Sequence, residues 1–196
     1  MGYFSFFTGL ITVFMMLFVG GNVVRKFGWT SAALITPIVL LITGVGFFMF
    51  VLFRDNLSGF VAMMGTSPLM LAVIFGAAQN IMSKSSKYSL FDPTKEMAYI
   101  PLDQESKVKG KAAIDVVGAR LGKSGGSFVQ QGLLVVFGSI GAITPYVGFI
   151  LLAIIAAWVV AARSLGKQFN ALSTDEAAAT PAAEIKVRGK PEQALN

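Results

Sequence analysis

The chain has 196 residues, of which 55% are hydrophobic and only 13% are charged, and its formal net charge is +6. Soluble domains carry about 25% charged residues, so this composition excludes an ordinary soluble domain and indicates a membrane protein. Cysteine and histidine are absent, which excludes disulfides, zinc or haem ligation and a histidine base, and favours transport or binding over catalysis. We expect no cofactor, and we attribute the positive charge to membrane topology rather than to nucleic-acid binding.

Five uncharged apolar stretches divide the chain. About 20 helical residues cross a bilayer core of about 30 Å, and apolar residues at consecutive positions argue against barrel strands, which alternate apolar with polar residues. The longest stretch, 124–162, has room for two helices joined by a turn at Thr144-Pro145. We expect Pro37 and Pro68 to bend the second and third helices. The sequence therefore predicts an all-α, polytopic membrane bundle with five transmembrane helices, at about residues 3–24, 29–53, 59–82, 126–143 and 146–163.

The charged residues between these stretches are distributed unequally. When the chain is threaded back and forth, one side receives fifteen of the sixteen Lys and Arg residues, and Arg54 alone lies on the other. Basic residues stay on the cytoplasmic side, so we predict that the loop 84–123 and a flexible tail, 164–196, are cytoplasmic. The first span has no basic flank to orient it, and an odd number of spans places the N-terminus outside. We expect further spans to precede this chain, the alternative being a genuine five-span protein.

The polar loop 84–123 is predicted to contain two helices. Asp92 has the position of an N-cap with Pro93 as the first helical residue, and Pro101 ends this helix. A second helix is expected from about Gln104 to Leu121, lying along the membrane surface. The loop carries eight basic and five acidic residues, a sum of +3, which suits either anionic lipid headgroups or an anionic solute.

Lys123-Ser124-Gly125-Gly126 opens the fourth predicted span. Free N–H groups at a helix start, glycines that permit close approach and an adjacent lysine form a candidate phosphate-binding site. A P-loop is excluded because Val117 occupies the position of its first glycine. The alternative is a flexible loop whose lysine extends its ammonium group towards water.

Several segments in and after this loop resemble a known family. They are the seventeen-residue string from Lys87 to Asp103, the segment from Lys107 to Val117, and Gly122-Lys123-Ser124-Gly125-Gly126 followed by Gln130-Gln131. These segments closely resemble the non-mitochondrial ATP/ADP translocases of plastids and obligate intracellular bacteria. The resemblance covers residues 1 to about 173.

The resemblance implies a carrier rather than an enzyme. Members of this family resemble twelve-span carriers of the major facilitator type that exchange ATP for ADP by alternating access without hydrolysis, and the chain matches their last five spans. The implied partners are ATP and ADP, membrane lipid and the missing N-terminal spans, and the implied location is the inner membrane of an obligate intracellular bacterium. Lys123 best fits a functionally sensitive lysine of the family. The other candidates for nucleotide binding are Ser124, Gly125, Gly126, Arg120, Lys87 and Lys95.

Two alternatives stay open at this point. A proton-coupled nucleotide importer of the same family would share the same residues. An inactive fragment or a membrane scaffold would fit the odd number of spans and the first span without a basic flank.

Overall fold

The structure is a computed structural model that describes residues 2–188, with side chains described from residue 5 to residue 174. Every regular element in this range is helical, which confirms the predicted all-α class. The helices are α1 Gly2–Phe14, α2 Gly21–Leu52, α3 Arg54–Met63, α4 Pro68–Ser86, α5 Asp92–Met97, α6 Gln104–Lys111, α7 Ala119–Phe137 and α8 Ile140–Arg188. Three π-helical segments join α1 to α2, α4 to α5 and α6 to α7; they are Met15–Gly20, Lys87–Phe91 and Ala112–Gly118.

Two helical stretches among the described residues are long and apolar enough to cross a membrane. They are Ser5–Leu52, of 48 residues, and Ile140–Thr174, of 35 residues. A third candidate is the pair Arg54–Met63 and Pro68–Met97, which is bent by 96°. Length and composition therefore support two or three crossings, and the five predicted transmembrane helices are not confirmed.

Gly28 divides the stretch Ser5–Leu52 into two helices. Its φ of 79° and ψ of 171° are not helical, and glycine adopts such a conformation readily because it has no Cβ. The break lies just after Arg25 and Lys26, where the sequence predicts the connection between the first two spans. Helices are therefore present on both sides of the predicted connection.

The helices before and after Gly28 pack against α4 and its continuation in opposite directions. Before Gly28 the paired residues are Thr12 with Ser85 and Gly20 with Ser89. After Gly28 they are Trp29 with Thr94, Thr36 with Ser86 and Gly46 with Phe75. Residue numbers rise together in the first set and run oppositely in the second, so the chain reverses its direction relative to α4 at Gly28.

The third predicted span is interrupted. α3 ends at Met63 and α4 begins at Pro68, with Ser67 as the N-cap, whose Oγ accepts a hydrogen bond from the N–H of Met70 at 3.2 Å. The prediction that Pro68 bends a continuous helix is wrong. As the first residue of a helix, proline removes no helical hydrogen bond. Pro37, in contrast, lies inside α2 as predicted.

The turn between the last two helices lies earlier than predicted. Gly138 ends α7 with a φ of 75°, and its N–H donates to Leu134 O at 2.8 Å, as in a C-terminal glycine cap. Ser139 Oγ then accepts a hydrogen bond from the first turn of α8. The predicted turn at Thr144-Pro145 is therefore wrong, because both residues lie inside α8.

α8 also continues into the predicted tail. Residues 164–188 are helical rather than irregular, and the alanines of this segment favour a helix. The part of the predicted tail after residue 188 lies outside the described residues.

α2 occupies the centre of the bundle, between α4 and α8. Gly46 of α2 lies against the ring of Phe75 in α4, and Gly148 of α8 lies against the ring of Phe48 in α2. Small residues at such contacts let the helices approach closely, which is how membrane helices gain packing energy. These contacts fix the positions of α4 and α8 relative to α2.

Trp29 anchors the end of this bundle next to the polar loop. The buried indole stacks on Phe169 of α8, with ring centroids 5.1 Å apart, and its Nε1 donates to Thr94 O at 2.8 Å. α7 packs less closely than α2, as shown by the fact that none of its residues is buried. Its C-terminal end meets α8 through the stacked rings of Phe137 and Tyr146, 4.4 Å apart.

Candidate functional site

The helix that starts at Pro68 continues through the first part of the predicted loop, as far as Met97. The prediction that Asp92 caps a new helix is wrong. Asp92 has helical φ and ψ, and its N–H donates to Lys87 O, five residues earlier. This π-helical segment precedes Pro93, which has no N–H to donate, and Thr94 Oγ1 donates to Leu90 O at 2.7 Å. The wider π-helical turn and the threonine hydroxyl let the helix pass the proline without ending.

Lys87, a predicted nucleotide-binding residue, already has two partners. Its Nζ lies 2.8 Å from Asp92 Oδ2 and 4.3 Å from the centroid of the Tyr88 ring. Its charge is therefore partly compensated within the helix. A phosphate group would have to compete with Asp92 for it.

Lys95, a second predicted site residue, holds two helices together. Its Nζ lies 2.6 Å from Asp115 Oδ1, and a second ion pair joins Lys111 to Glu96 at 2.6 Å. The two pairs connect the helix Pro68–Met97 to the helix that begins at Gln104. They also place Lys95 among carboxylates rather than in an open cationic site.

The ion pairs shift the protonation equilibria of their members. The hydrogen bond to Asp115 raises the pKa of Lys95, and the same bond lowers the pKa of Asp115. The hydrogen bond to Glu96 raises the pKa of Lys111. The lysines therefore stay protonated and Asp115 stays ionised on both sides of neutral pH, so the pairs persist across the physiological range.

The second predicted loop helix begins where the sequence indicates. Asp103 is its N-cap, and Asp103 Oδ2 accepts a hydrogen bond from Ser106 N–H at 2.9 Å. Instead of ending near Leu121, the helix continues through Ala112–Gly118 and α7 as far as Phe137. The predicted loop helix and fourth span are one continuous helix.

This continuity corrects the predicted phosphate cradle. Lys123, Ser124, Gly125 and Gly126 lie in the interior of α7, where each N–H bonds to the carbonyl four residues before it. No helix starts at these residues, so their N–H groups are not free for a phosphate. The alternative of a flexible loop is wrong for the same reason. Only side chains of this segment remain available to bind an anion.

The glycines of this segment line a cavity between α7, α8 and α2. The cavity has a volume of about 770 Å³ and includes Gly122, Gly125, Gly126 and Gln130 in its wall. Its other lining residues are mostly aliphatic and aromatic side chains of α2 and α8. The absence of side chains at the glycines keeps this space open on the α7 side.

Arg120 and Lys123 remain unpaired cations on α7. Both are exposed, and neither forms an ion pair within the part of the chain that the structure describes. The structure thus divides the predicted site residues between two helices: Lys87 and Lys95, with carboxylate partners, and Arg120 with residues 123–126, without them. The second group is the one that can accept an anion without first breaking an ion pair.

Sequence reasoning missed two residues near this region. Trp29 joins three helices, and its position directly after a glycine turn at the predicted membrane interface was a usable signal. Lys84 was counted only in the charge sums of the topology and of the loop, yet it lines a groove beside hydroxyl side chains of α1. The spacing of Ser5, Thr8 and Thr12 in the first span was the available signal for that groove.

Two apolar helical stretches that are long enough to cross a bilayer define a helical membrane protein. The family model for the TLC ATP/ADP transporter matches residues 1–169. The chain belongs to this family, which confirms the resemblance inferred from the loop segments.

The chain is similar to carriers from bacteria and plants. It is 68% identical to ADP,ATP carrier protein 1 of Chlamydia pneumoniae over 173 residues, which cover 88% of this chain and 34% of that protein. It is 57% identical to the chloroplastic ADP,ATP carrier protein 2 of Arabidopsis thaliana, over 90% of this chain and 28% of that protein. It is 47% identical to ADP,ATP carrier protein 1 of Rickettsia typhi, over 88% of this chain and 35% of that protein. The chain thus spans about a third of the length of these relatives, and no solved structure matches it.

Proposed function

We propose that this chain forms part of a carrier that exchanges ATP for ADP across a membrane by alternating access. Membership of the TLC ATP/ADP transporter family and the relatives' names as ADP,ATP carriers support this proposal. Such a carrier needs positive charge that faces the phosphates, and helices that move relative to one another. Exchange moves the nucleotide without hydrolysis, so no catalytic base is required.

Lys123 and Arg120 supply that charge in this proposal. They are the unpaired cations of α7, and α7 also borders the glycine-lined cavity. Lys123 binds phosphate through its ammonium group and Ser124 through its hydroxyl, while Gly125 and Gly126 keep the cavity wall open. The observation that carries the proposal is that α7 combines these two cations, which no described residue pairs with, and the glycines that line the cavity. Lys87 and Lys95 take a lesser part because each must first release a carboxylate.

Counter-exchange in proteoliposomes tests the proposed function. Vesicles preloaded with ADP are expected to take up labelled ATP, whereas vesicles without internal nucleotide are expected to take up little. Uptake into empty vesicles that depends on an imposed proton gradient would indicate the proton-coupled importer instead. No uptake in either case, with the protein correctly inserted, would contradict a carrier and favour a scaffold.

We also propose that the chain crosses the inner membrane of a bacterium five times, with the loop 84–123 and the tail 164–196 in the cytoplasm. The proposed partners are ATP and ADP, membrane lipid on the exposed apolar faces, and the further spans of the longer carrier. The distribution of Lys and Arg supports this orientation. It also makes Arg54 the basic residue of the opposite side.

Single cysteines test this topology cleanly, because the chain has no native cysteine. A membrane-impermeant maleimide is expected to label Ser58→Cys in intact spheroplasts. It is expected to label Ser106→Cys only after permeabilisation, since Ser106 lies in the cytoplasmic loop; both residues are exposed. Labelling of both variants from the same side would contradict the proposed orientation.

A further inference from the structure

The hydroxyl side chains of α1 share one face of the helix. Ser5, Thr8 and Thr12 follow one another at spacings of three and four residues, which brings side chains to the same side of an α-helix. Exposed phenylalanines occupy other positions, including Phe6 and Phe7. Polar side chains in a membrane helix face the protein interior or a water-filled path. The hydroxyl face of α1 therefore faces the protein or water, and its phenylalanines suit lipid.

This hydroxyl face lines a groove between α1 and the helix that contains α4. The groove has a volume of about 370 Å³, and Lys84 and Tyr88 line its other side. Thr12 Oγ1 donates to Thr8 O at 2.7 Å and lies 3.0 Å from Ser85 Oγ. Because the threonine proton is used on Thr8 O, Ser85 is the donor to Thr12. These bonds hold the wall of the groove in place.

Lys84 gives the groove a positive charge that no carboxylate compensates. It forms no ion pair with any described residue, whereas Lys87, Lys95 and Lys111 each lie within 2.8 Å of a carboxylate oxygen. α1, the opposite wall, contains no Asp or Glu. A groove lined by an ammonium group and several hydroxyls, with no carboxylate among its lining residues, is complementary to an anion.

We propose that this groove binds the phosphate group of an anionic ligand, with Lys84 as the cation and the hydroxyls of Ser5 and Tyr88 as hydrogen-bond donors. Thr12 fixes the wall through its bonds to Thr8 and Ser85. A nucleotide di- or triphosphate and the headgroup of an anionic phospholipid both offer this chemistry. The nucleotide form rests on the proposed function and places a phosphate contact on α4, apart from Lys123 on α7. The lipid form is independent of it.

Equilibrium binding of the full chain in detergent tests the groove, with inorganic pyrophosphate and ADP as probes. Lys84→Gln is expected to weaken the binding of both at least about tenfold, because it removes a charge-assisted contact. Lys84→Arg keeps the charge and is expected to restore most of the binding. The matched control is Lys107→Gln, which removes from α6 a lysine that forms no ion pair with a described residue, and this variant is expected to bind like the unmodified chain.

The second arm of the experiment separates lipid from soluble ligand. In nanodiscs that contain phosphatidylglycerol, native mass spectrometry counts the lipids retained by each variant. Loss of retained phosphatidylglycerol in Lys84→Gln, with no pyrophosphate binding by the unmodified chain, identifies a headgroup site. Loss of pyrophosphate and ADP binding identifies a soluble phosphate ligand. Binding of neither class by the unmodified chain, or equal binding by the unmodified chain and Lys84→Gln, overturns the proposal.

The outcomes for the groove and for the carrier are distinguishable. If binding depends on Lys84 but no ATP/ADP counter-exchange occurs, the groove stands and the proposed carrier function fails. If counter-exchange occurs and Lys84→Gln binds phosphate and lipid unchanged, the carrier function stands and the groove fails.

Discussion

Replacing Lys123 with glutamine is expected to slow ATP/ADP exchange at least about tenfold while the amount of protein in the membrane stays the same. Lys123 is exposed on α7, and no described residue forms an ion pair with it. Because the N–H groups of the neighbouring glycines are used inside the helix, the ammonium group is the main charge that this segment offers to a phosphate. Glutamine keeps the helix propensity and much of the length of lysine, so the change tests the charge.

The measurement is counter-exchange by protein reconstituted at equal density, together with quantitation of the inserted protein. Arg120→Gln is the neighbouring test, and Lys107→Gln on α6 is the control that removes an equivalent surface charge elsewhere. Exchange by Lys123→Gln at the rate of the control would remove Lys123 from the proposed site. A loss of inserted protein that matches the loss of exchange would indicate a structural role instead.

Replacing Gly20 with alanine is expected to destabilise the fold by about 1–3 kcal/mol, the range measured when a packed contact is overfilled. A Cβ at Gly20 would overlap Ser89 O, a backbone atom that cannot rotate away. Ser89 is the residue four positions before Pro93, so its carbonyl lacks the usual α-helical donor. It faces the Cα of Gly20 instead, a position suited to a weak C–H···O contact. Alanine would force the segment Met15–Gly20 and the helix Pro68–Met97 apart.

The adjacent glycine provides a matched control. A Cβ at Gly21 meets no atom within 4 Å, and the residue has helical φ and ψ. Gly21→Ala is therefore expected to leave stability unchanged or to raise it by up to about 1 kcal/mol, the difference in helix propensity. Thermal unfolding of the two variants in the same detergent makes the comparison. Equal unfolding temperatures would mean that Gly20 does not approach Ser89 O as the structure shows.

The helical class and the approximate ends of several helices could be predicted from the sequence. Uncharged apolar runs specify membrane helices because no other local structure satisfies the backbone in lipid. The break at Gly28 lies where charges interrupt those runs, and the cap at Asp103 follows from a side-chain acceptor that precedes a polar helix. Each of these signals is local, which is why it could be interpreted without the fold.

The predictions made from proline and glycine positions were wrong because the effect of these residues on a helix depends on where that helix starts. Pro68 begins a helix, Pro93 is passed by a π-helical segment and Pro145 lies beyond the first turn of α8. Ser67 and Gly138 mark the actual helix ends, as the N-cap of α4 and the C-cap of α7. The sequence did not predict these ends because both residues lie within uncharged apolar runs.

The prediction that a helix starts at Lys123–Gly126 and binds phosphate through free N–H groups was wrong for a related reason. Gly125 and Gly126 favour a loop in water, where exposed backbone groups can bond to solvent. In α7 the same residues are helical, and their N–H groups bond to carbonyls of the preceding turn. Lys95 could not be assigned from sequence at all, since its partner Asp115 lies 20 residues away and belongs to a different helix.

The ion pairs Lys95–Asp115 and Glu96–Lys111 have a mechanical consequence for any carrier built with this chain. They join two long helical segments, Pro68–Met97 and Gln104–Phe137, near the ends that the loop connects. In a carrier that works by alternating access, these two helical segments would move together about their joined ends unless both ion pairs first broke. A cycle of nucleotide exchange would then move the two segments as one unit rather than as two independent helices.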